Sequence, residues 1–204
     1  MYKHIIWDFD GTLFDTYPVM AKTFQEALME QGLEEPMSDV LKRLKVSATF
    51  ALQHYEKEHQ INIDRLKAYQ ESKKADELKV SKPFEGIETI CQHIQDTDRK
   101  NYLYTHRGES SIELLKMHGL YGYFTDCITS THGFERKPNP AALRYLIEKY
   151  SMDPAEAIMI GDRELDLQSG KNAGIDACYF AEAHEKSEYA DVTIHTFQEL
   201  YSII

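Results

Sequence analysis

Asp8 and Asp10 stand one residue apart, behind the apolar run Ile5-Ile6-Trp7 and ahead of Gly11-Thr12-Leu13. Two like charges this close are costly unless a cation or a charged substrate compensates. Asp-Gly is also a common turn dipeptide, so this stretch alone reads equally well as a surface turn. Further along, Thr105 is followed by His106 and Arg107, Lys137 precedes Pro138-Asn139-Pro140, and Asp166 follows Gly161-Asp162. Asp8, Asp10, Asp162 and Asp166 with the Thr105 hydroxyl and the Lys137 ammonium form a set of hard oxygen ligands plus one cation. There is no thiolate or histidine cluster among them, which suits Mg²⁺. Each residue also has a plainer reading. Thr105 serves as a β-branched strand end, Lys137 as a solvated lysine and Asp166 as an acid in a helix's first turn. Arg107 reads first as a solvated arginine at a helix start and second as a cation reaching a substrate's far anionic group, and Asp15 as the cap of the first helix.

These residues need elements to position them. Residues 5–7 have the apolar character of a buried strand, and Asp8 and Asp10 lie at its carboxyl end, where open α/β sheets keep their ligands. From residue 16 to about 81 the period becomes helical, with Val19, Met20, Phe24, Ala27 and Leu28 on one face and a stop at Gln31-Gly32. Three further helices follow, begun near Pro36, Val46 and Asn62 or Asp64, with no convincing strand between them. Lys82-Pro83-Phe84-Glu85-Gly86 reads as a returning linker. Strands and helices then alternate. Strands are expected at residues 101–105, 126–130, 157–160 and 176–180, with a weak edge strand at 192–195. Helices are expected at 86–95, 109–118, after an Asn139 cap with Pro140 at its first position, at 165–173 and at 197–201. This alternation implies a Rossmann-like doubly wound parallel sheet covered on both faces. The expected domains are an α/β core of residues 1–15 and 82–204 and an all-α helical insert of residues 16–81.

The 204 residues carry a net charge of −11, which repels a phosphate backbone and argues against nucleic-acid binding. No apolar run approaches the roughly 18 residues that span a bilayer, and the chain begins directly in its first strand, so no signal peptide is expected. Cys91, Cys127 and Cys178 are scattered and read as reduced core thiols. The expectation is a cytoplasmic protein, monomer or homodimer, that would need a local cation to handle a small anion.

Taken together, Asp8-Phe9-Asp10-Gly11-Thr12-Leu13, Thr105, Lys137 and Gly161-Asp162-x-x-x-Asp166 resemble the haloacid dehalogenase-like (HAD) hydrolase superfamily, subfamily IA. All four of its motifs appear in its order, and residues 16–81 resemble the α-helical cap of phosphoglycolate phosphatase-like members. The resemblance implies Mg²⁺-dependent hydrolysis of a small phosphomonoester through an aspartyl-phosphate. Asp8 would be the nucleophile, ionised without a base. Asp10 would protonate the leaving oxygen and then deprotonate water. Asp8, Asp10 (through its backbone carbonyl), Asp162 and Asp166 would hold Mg²⁺. Thr105, His106 and Lys137 would bind the phosphoryl group, Lys137 also neutralising Asp8. The family usually has Asn where this chain has His106, whose backbone N–H still serves. Asp10 argues against dehalogenation, and Gly161 against a phosphosugar mutase, in which an acid typically stands. A phosphonatase needs a cap lysine, for which Lys45 is a candidate by position alone. Arg43, Lys45, Thr49 and His54 are the polar cap residues placed to read a leaving group. A non-catalytic phospholigand-binding regulator is the alternative of another class; loss of a motif residue would betray it, and none is lost.

Overall fold

The computed structural model describes residues 1–181 and 186–204. The chain divides into two compact units, one of Met1–Phe14 with Pro83–Ile204 and one of Asp15–Lys82.

The first unit is built on a six-stranded sheet. Its strands are β1 (His4–Trp7), β4 (Lys100–Tyr104), β5 (Phe124–Ile128), β6 (Ala157–Gly161), β7 (Asp176–Phe180) and β8 (Val192–Ile194). Two short strands, β2 (Phe14–Asp15) and β3 (Lys82–Pro83), pair with each other where the chain passes between units. The order across the sheet is β5-β4-β1-β6-β7-β8, and every pairing is parallel. Parallel strands covered on both faces are apolar throughout, and β6 is buried at all five positions. Ile5, Ile6 and Trp7 of β1 are fully buried, each aliphatic side chain contributing roughly 1.5–3 kcal/mol. The Trp7 indole N–H donates to Asn101 Oδ1 at 2.9 Å, and the Asn101 amide donates in turn to the Cys91 carbonyl at 3.0 Å. A fully buried Asn is tolerated here because its polar atoms are used.

β1 lies between β4 and β6, with Trp7 level with Leu103 and Ile160. The chain order reverses at this strand, which puts the carboxyl ends of β1, β4 and β6 around one crevice. Flanking helices are α5 (Ile87–Asp96), α6 (Ser110–Met117), α7 (Ala141–Lys149) and α8 (Glu164–Ala173), numbered after the four helices of the second unit.

That second unit comprises α1 (Tyr17–Met29), α2 (Met37–Val46), α3 (Ala48–His59) and α4 (Ile63–Val80). Ser47 caps α3 by accepting from Phe50 N–H, and Asn62 caps α4 by accepting from Arg65 N–H. Phe24, Leu28, Val40, Leu44, Tyr55 and Leu66 form its core.

Several boundaries differ from the sequence expectations. β5 starts two residues early, at Phe124, and its pairing with β4 shifts register between Asn101 and Tyr102. The helix at residue 141 has Pro140 at its cap, while Asn139 Oδ1 accepts the Ala141 N–H. Asp15 belongs to β2, and Thr16 occupies the α1 cap position with no capping bond from its side chain. The last helix, Phe197–Ser202, is a 3₁₀ helix.

Candidate active site

Asp8 leaves β1 with its N–H donating to the Ile160 carbonyl at 2.9 Å, so the sheet ladder fixes its backbone. The chain then turns sharply. The Phe9 carbonyl accepts from the N–H groups of Thr12, Leu13 and Phe14, and Gly11 supplies the φ of 79° that the turn requires. Phe9 and Phe14 stack at 4.6 Å between ring centroids and close the turn. Asp10 is thereby held at the mouth of the crevice.

Lys137 lies in the loop between β5 and α7, with its side chain fully buried. Its ammonium donates to Asp8 Oδ1 at 2.6 Å, Asp166 Oδ1 at 2.7 Å and the Tyr104 carbonyl at 2.9 Å, which engages all three protons. The ammonium also lies 4.5 Å from the centre of the Tyr104 ring. Burial pushes the lysine toward neutrality, but Asp166 and Asp8 outweigh it and hold the charged form. Asp166 enters from the first turn of α8, where the helix dipole favours an anion. Burial opposes its charge, yet Lys137 and Arg163 keep its carboxyl below the ordinary range. Asp8 moves the other way: burial, then repulsion from Asp166, raise it against the pull of Lys137 and Arg163. The plainer reading of Asp166 also applies, since its Oδ2 accepts the Arg163 N–H at 3.2 Å at the helix start.

Asp8, Asp162 and Asp166 each place a carboxylate oxygen within 4.8 Å of the others. Thr12 Oγ1 donates to Asp162 Oδ1 at 3.3 Å. The close approach depends on Gly161, where an added Cβ would stand 2.3 Å from Asp166 Cβ. Three hard oxygen donors within 4.8 Å of one another fit a divalent cation such as Mg²⁺. The Asp10 side chain is not part of this trio; its Oδ1 accepts from Arg107 Nη1 at 2.7 Å.

Thr105 is buried just past β4, its Oγ1 accepting the Arg107 N–H at 3.0 Å. His106 uses its side chain as well as its backbone position: Nε2 accepts the Lys137 N–H at 2.7 Å. The two loops that carry Thr105 and Lys137 are therefore tied together. Two arginines depart from the sequence reading, one misplaced by it and one absent from it. Arg107, expected to be solvated, is paired with Asp10 with only 10% of its side chain exposed. Arg163 approaches Asp8 Oδ2 at 3.5 Å and Asp166 Oδ2 at 3.4 Å. Its position three residues before Asp166 was the available signal. Within the helical unit, Arg43 pairs with Glu35 at 2.9 Å and lies over the Tyr55 ring, so its guanidinium is engaged inside that unit.

A parallel sheet carrying an Asp-x-Asp turn at its central strand, a buried lysine and a helix-borne carboxylate defines a class, and comparison with known proteins gives it a family. Residues 5–180 match the family model for haloacid dehalogenase-like hydrolases. The chain belongs to this family and is a hydrolase. It is 25% identical over 184 residues to a phosphoglycolate phosphatase of Vibrio vulnificus, covering 84% of this chain and 80% of that one. A hydrolase structure from Streptococcus pneumoniae is 34% identical over 86% of this chain and 91% of its own, with a TM-score of 0.62. The fold also matches a HAD-superfamily hydrolase, subfamily IA, from Geobacter sulfurreducens, with a TM-score of 0.78 at 20% identity over the full length of both chains.

Proposed function

We propose that this protein is a Mg²⁺-dependent phosphatase that hydrolyses a small phosphomonoester through an aspartyl-phosphate, in the manner of a phosphoglycolate phosphatase. The observation that carries this reading is the buried Lys137 ammonium clamped between Asp8 and Asp166 beside Asp162. It sets a nucleophilic carboxylate in a fixed rotamer, next to a cation that offsets the charge of an incoming phosphoryl group.

Asp8 attacks phosphorus in line, forming an Asp8 Oδ–P bond while the bond from phosphorus to the leaving oxygen breaks. Asp10 gives its proton to that oxygen, then takes one from the water that cleaves the acyl phosphate. Thr105 donates its hydroxyl to a phosphoryl oxygen, and His106 offers its backbone N–H there. Asp8, the Asp10 carbonyl, Asp162 and Asp166 would hold Mg²⁺, which supplies Lewis-acid polarisation and offsets the repulsion between nucleophile and substrate. The helical unit acts as a cap that favours small metabolites over macromolecules. The net charge of −11 argues against nucleic acid as substrate, and no helix among the described residues is long and apolar enough to cross a membrane. A cytoplasmic monomer or homodimer completes the proposal.

Phosphate release from phosphoglycolate and sugar phosphates, with Mg²⁺ and with chelator, tests it. Metal-dependent release lost in a folded Asp8→Asn protein is the expected result; undiminished release from that variant overturns the mechanism.

A further inference from the structure

Arg107 stands 97 residues from Asp10 in sequence, yet its Nη1 meets Asp10 Oδ1 at 2.7 Å. The guanidinium is fixed on its other side by Nε donating to Ser110 Oγ at 3.0 Å, and it lies 5.7 Å from the centre of the Phe9 ring. Its backbone is equally committed, the N–H donating to Thr105 Oγ1 and the carbonyl accepting the Ser130 N–H at 2.9 Å. Side-chain exposure is 10% for Arg107 and 17% for Asp10, so solvent screens the pair weakly. A planar fork anchored at Ser110 restricts where the carboxylate points better than a mobile ammonium would. We infer that Arg107 is a positioning residue for Asp10, holding that carboxyl in the orientation from which it serves the leaving group. The inference rests on the proposed phosphatase reading and extends it to a residue outside the four motifs.

A residue that acts through the general acid affects esters unequally. A p-nitrophenolate leaves with little need of a proton, whereas an alkoxide does not. The test compares p-nitrophenyl phosphate with 2-phosphoglycolate for the unaltered protein, Arg107→Met, Arg107→Lys, Asp10→Asn and the Arg107→Met/Asp10→Asn double variant. In single turnover, where leaving-group release is read before the water step common to both esters, Arg107→Met is expected to lower the rate on the alkyl ester by about 10- to 100-fold and on the aryl ester by less than about threefold, with KM little changed. Arg107→Lys shows a smaller loss with the same bias. In the Asp10→Asn background, removal of Arg107 costs nothing further, because the two substitutions act through one group.

Equal losses of the single-turnover rate of leaving-group release on both esters, a loss confined to KM, or additive losses in the double variant overturn the inference. If Arg107→Met fails to fold by circular dichroism, Arg107→Lys decides by the same bias between esters. Failure of the phosphatase reading itself looks different: the unaltered protein turns over neither ester, or Asp8→Asn keeps its activity.

Discussion

Protonating His106 would set a second N–H against the Lys137 N–H that its Nε2 accepts, so the ring is bound to the neutral form. Burial first, then the charges of Lys137, Arg136 and Arg163, push it down from 6.5 to about 3 against the opposing pull of Asp166. The sign of the consequence follows from proton counting. Below pH 6.5 the unfolded chain takes up a proton that the folded one refuses, so stability falls as pH drops, by up to about 1.4 kcal/mol per unit. His106→Gln keeps a side-chain acceptor without a titration. Urea unfolding at pH 7 and pH 5 is expected to show the unaltered protein losing about 2 kcal/mol more than the Gln variant; parallel losses would remove His106 from the account. The side chains of this site differ in how far the sequence discloses them. Asp8, Asp162 and Asp166 announce themselves because each follows an apolar strand or stands at a helix start, and Lys137 only by its place before Pro138-Asn139-Pro140. The side-chain bonds of His106 and Arg107 cross between loops 31 and 97 residues apart, and no local pattern records them.

At the scale of elements, β6 and α8 meet across a contact that only glycine permits. A Cβ on Gly161 would stand 2.3 Å from Cβ, 2.7 Å from Cγ and 2.9 Å from Oδ2 of Asp166. β6 is buried along its whole length and Leu167, beside Asp166, is fully buried too, so neither partner has room to retreat. Gly161→Ala is therefore expected to destabilise by about 1–3 kcal/mol. It should also move Asp166 away from Lys137 and blunt the rise in melting temperature expected if Mg²⁺ binds the folded state as proposed. Thermal melts with and without Mg²⁺ check both effects, and an unchanged Mg²⁺ response would detach Asp166 from the metal set. Elements such as β6 and α1 are legible because a continuous apolar run and a 3.6-residue period are local properties of the chain. β2 and β3 are not, being two residues each and formed only by pairing with one another. The start of β5 is hidden too, at the end where its pairing with β4 shifts register.

The whole molecule consists of two units whose cores are separately built. Every member of the Phe24–Leu66 core cluster comes from the helical unit Asp15–Lys82, while the sheet's central strands bury one another inside the other unit. The points where the chain leaves and re-enters the α/β unit are joined within that unit, Phe84 N–H donating to the Leu13 carbonyl at 3.0 Å. A short flexible turn can therefore replace residues 15–82 with little loop-closure cost, because that cost grows only slowly with loop length and the ends already meet. Asp8, Lys137, Asp162 and Asp166 all belong to the unit that remains. The excised protein is expected to unfold cooperatively and to be stabilised by Mg²⁺, since the carboxylates proposed to hold the ion are carried by the α/β unit. On the proposed reading, in which residues 15–82 act as a cap, turnover of small phosphomonoesters should nonetheless fall. Circular dichroism melts with and without Mg²⁺, run beside phosphate release, separate the two effects. A Mg²⁺-responsive fold with depressed turnover assigns residues 15–82 to selection and shielding. Full turnover would place recognition of the substrate entirely in the α/β unit, and a chain that fails to fold would show that the two units depend on each other for stability.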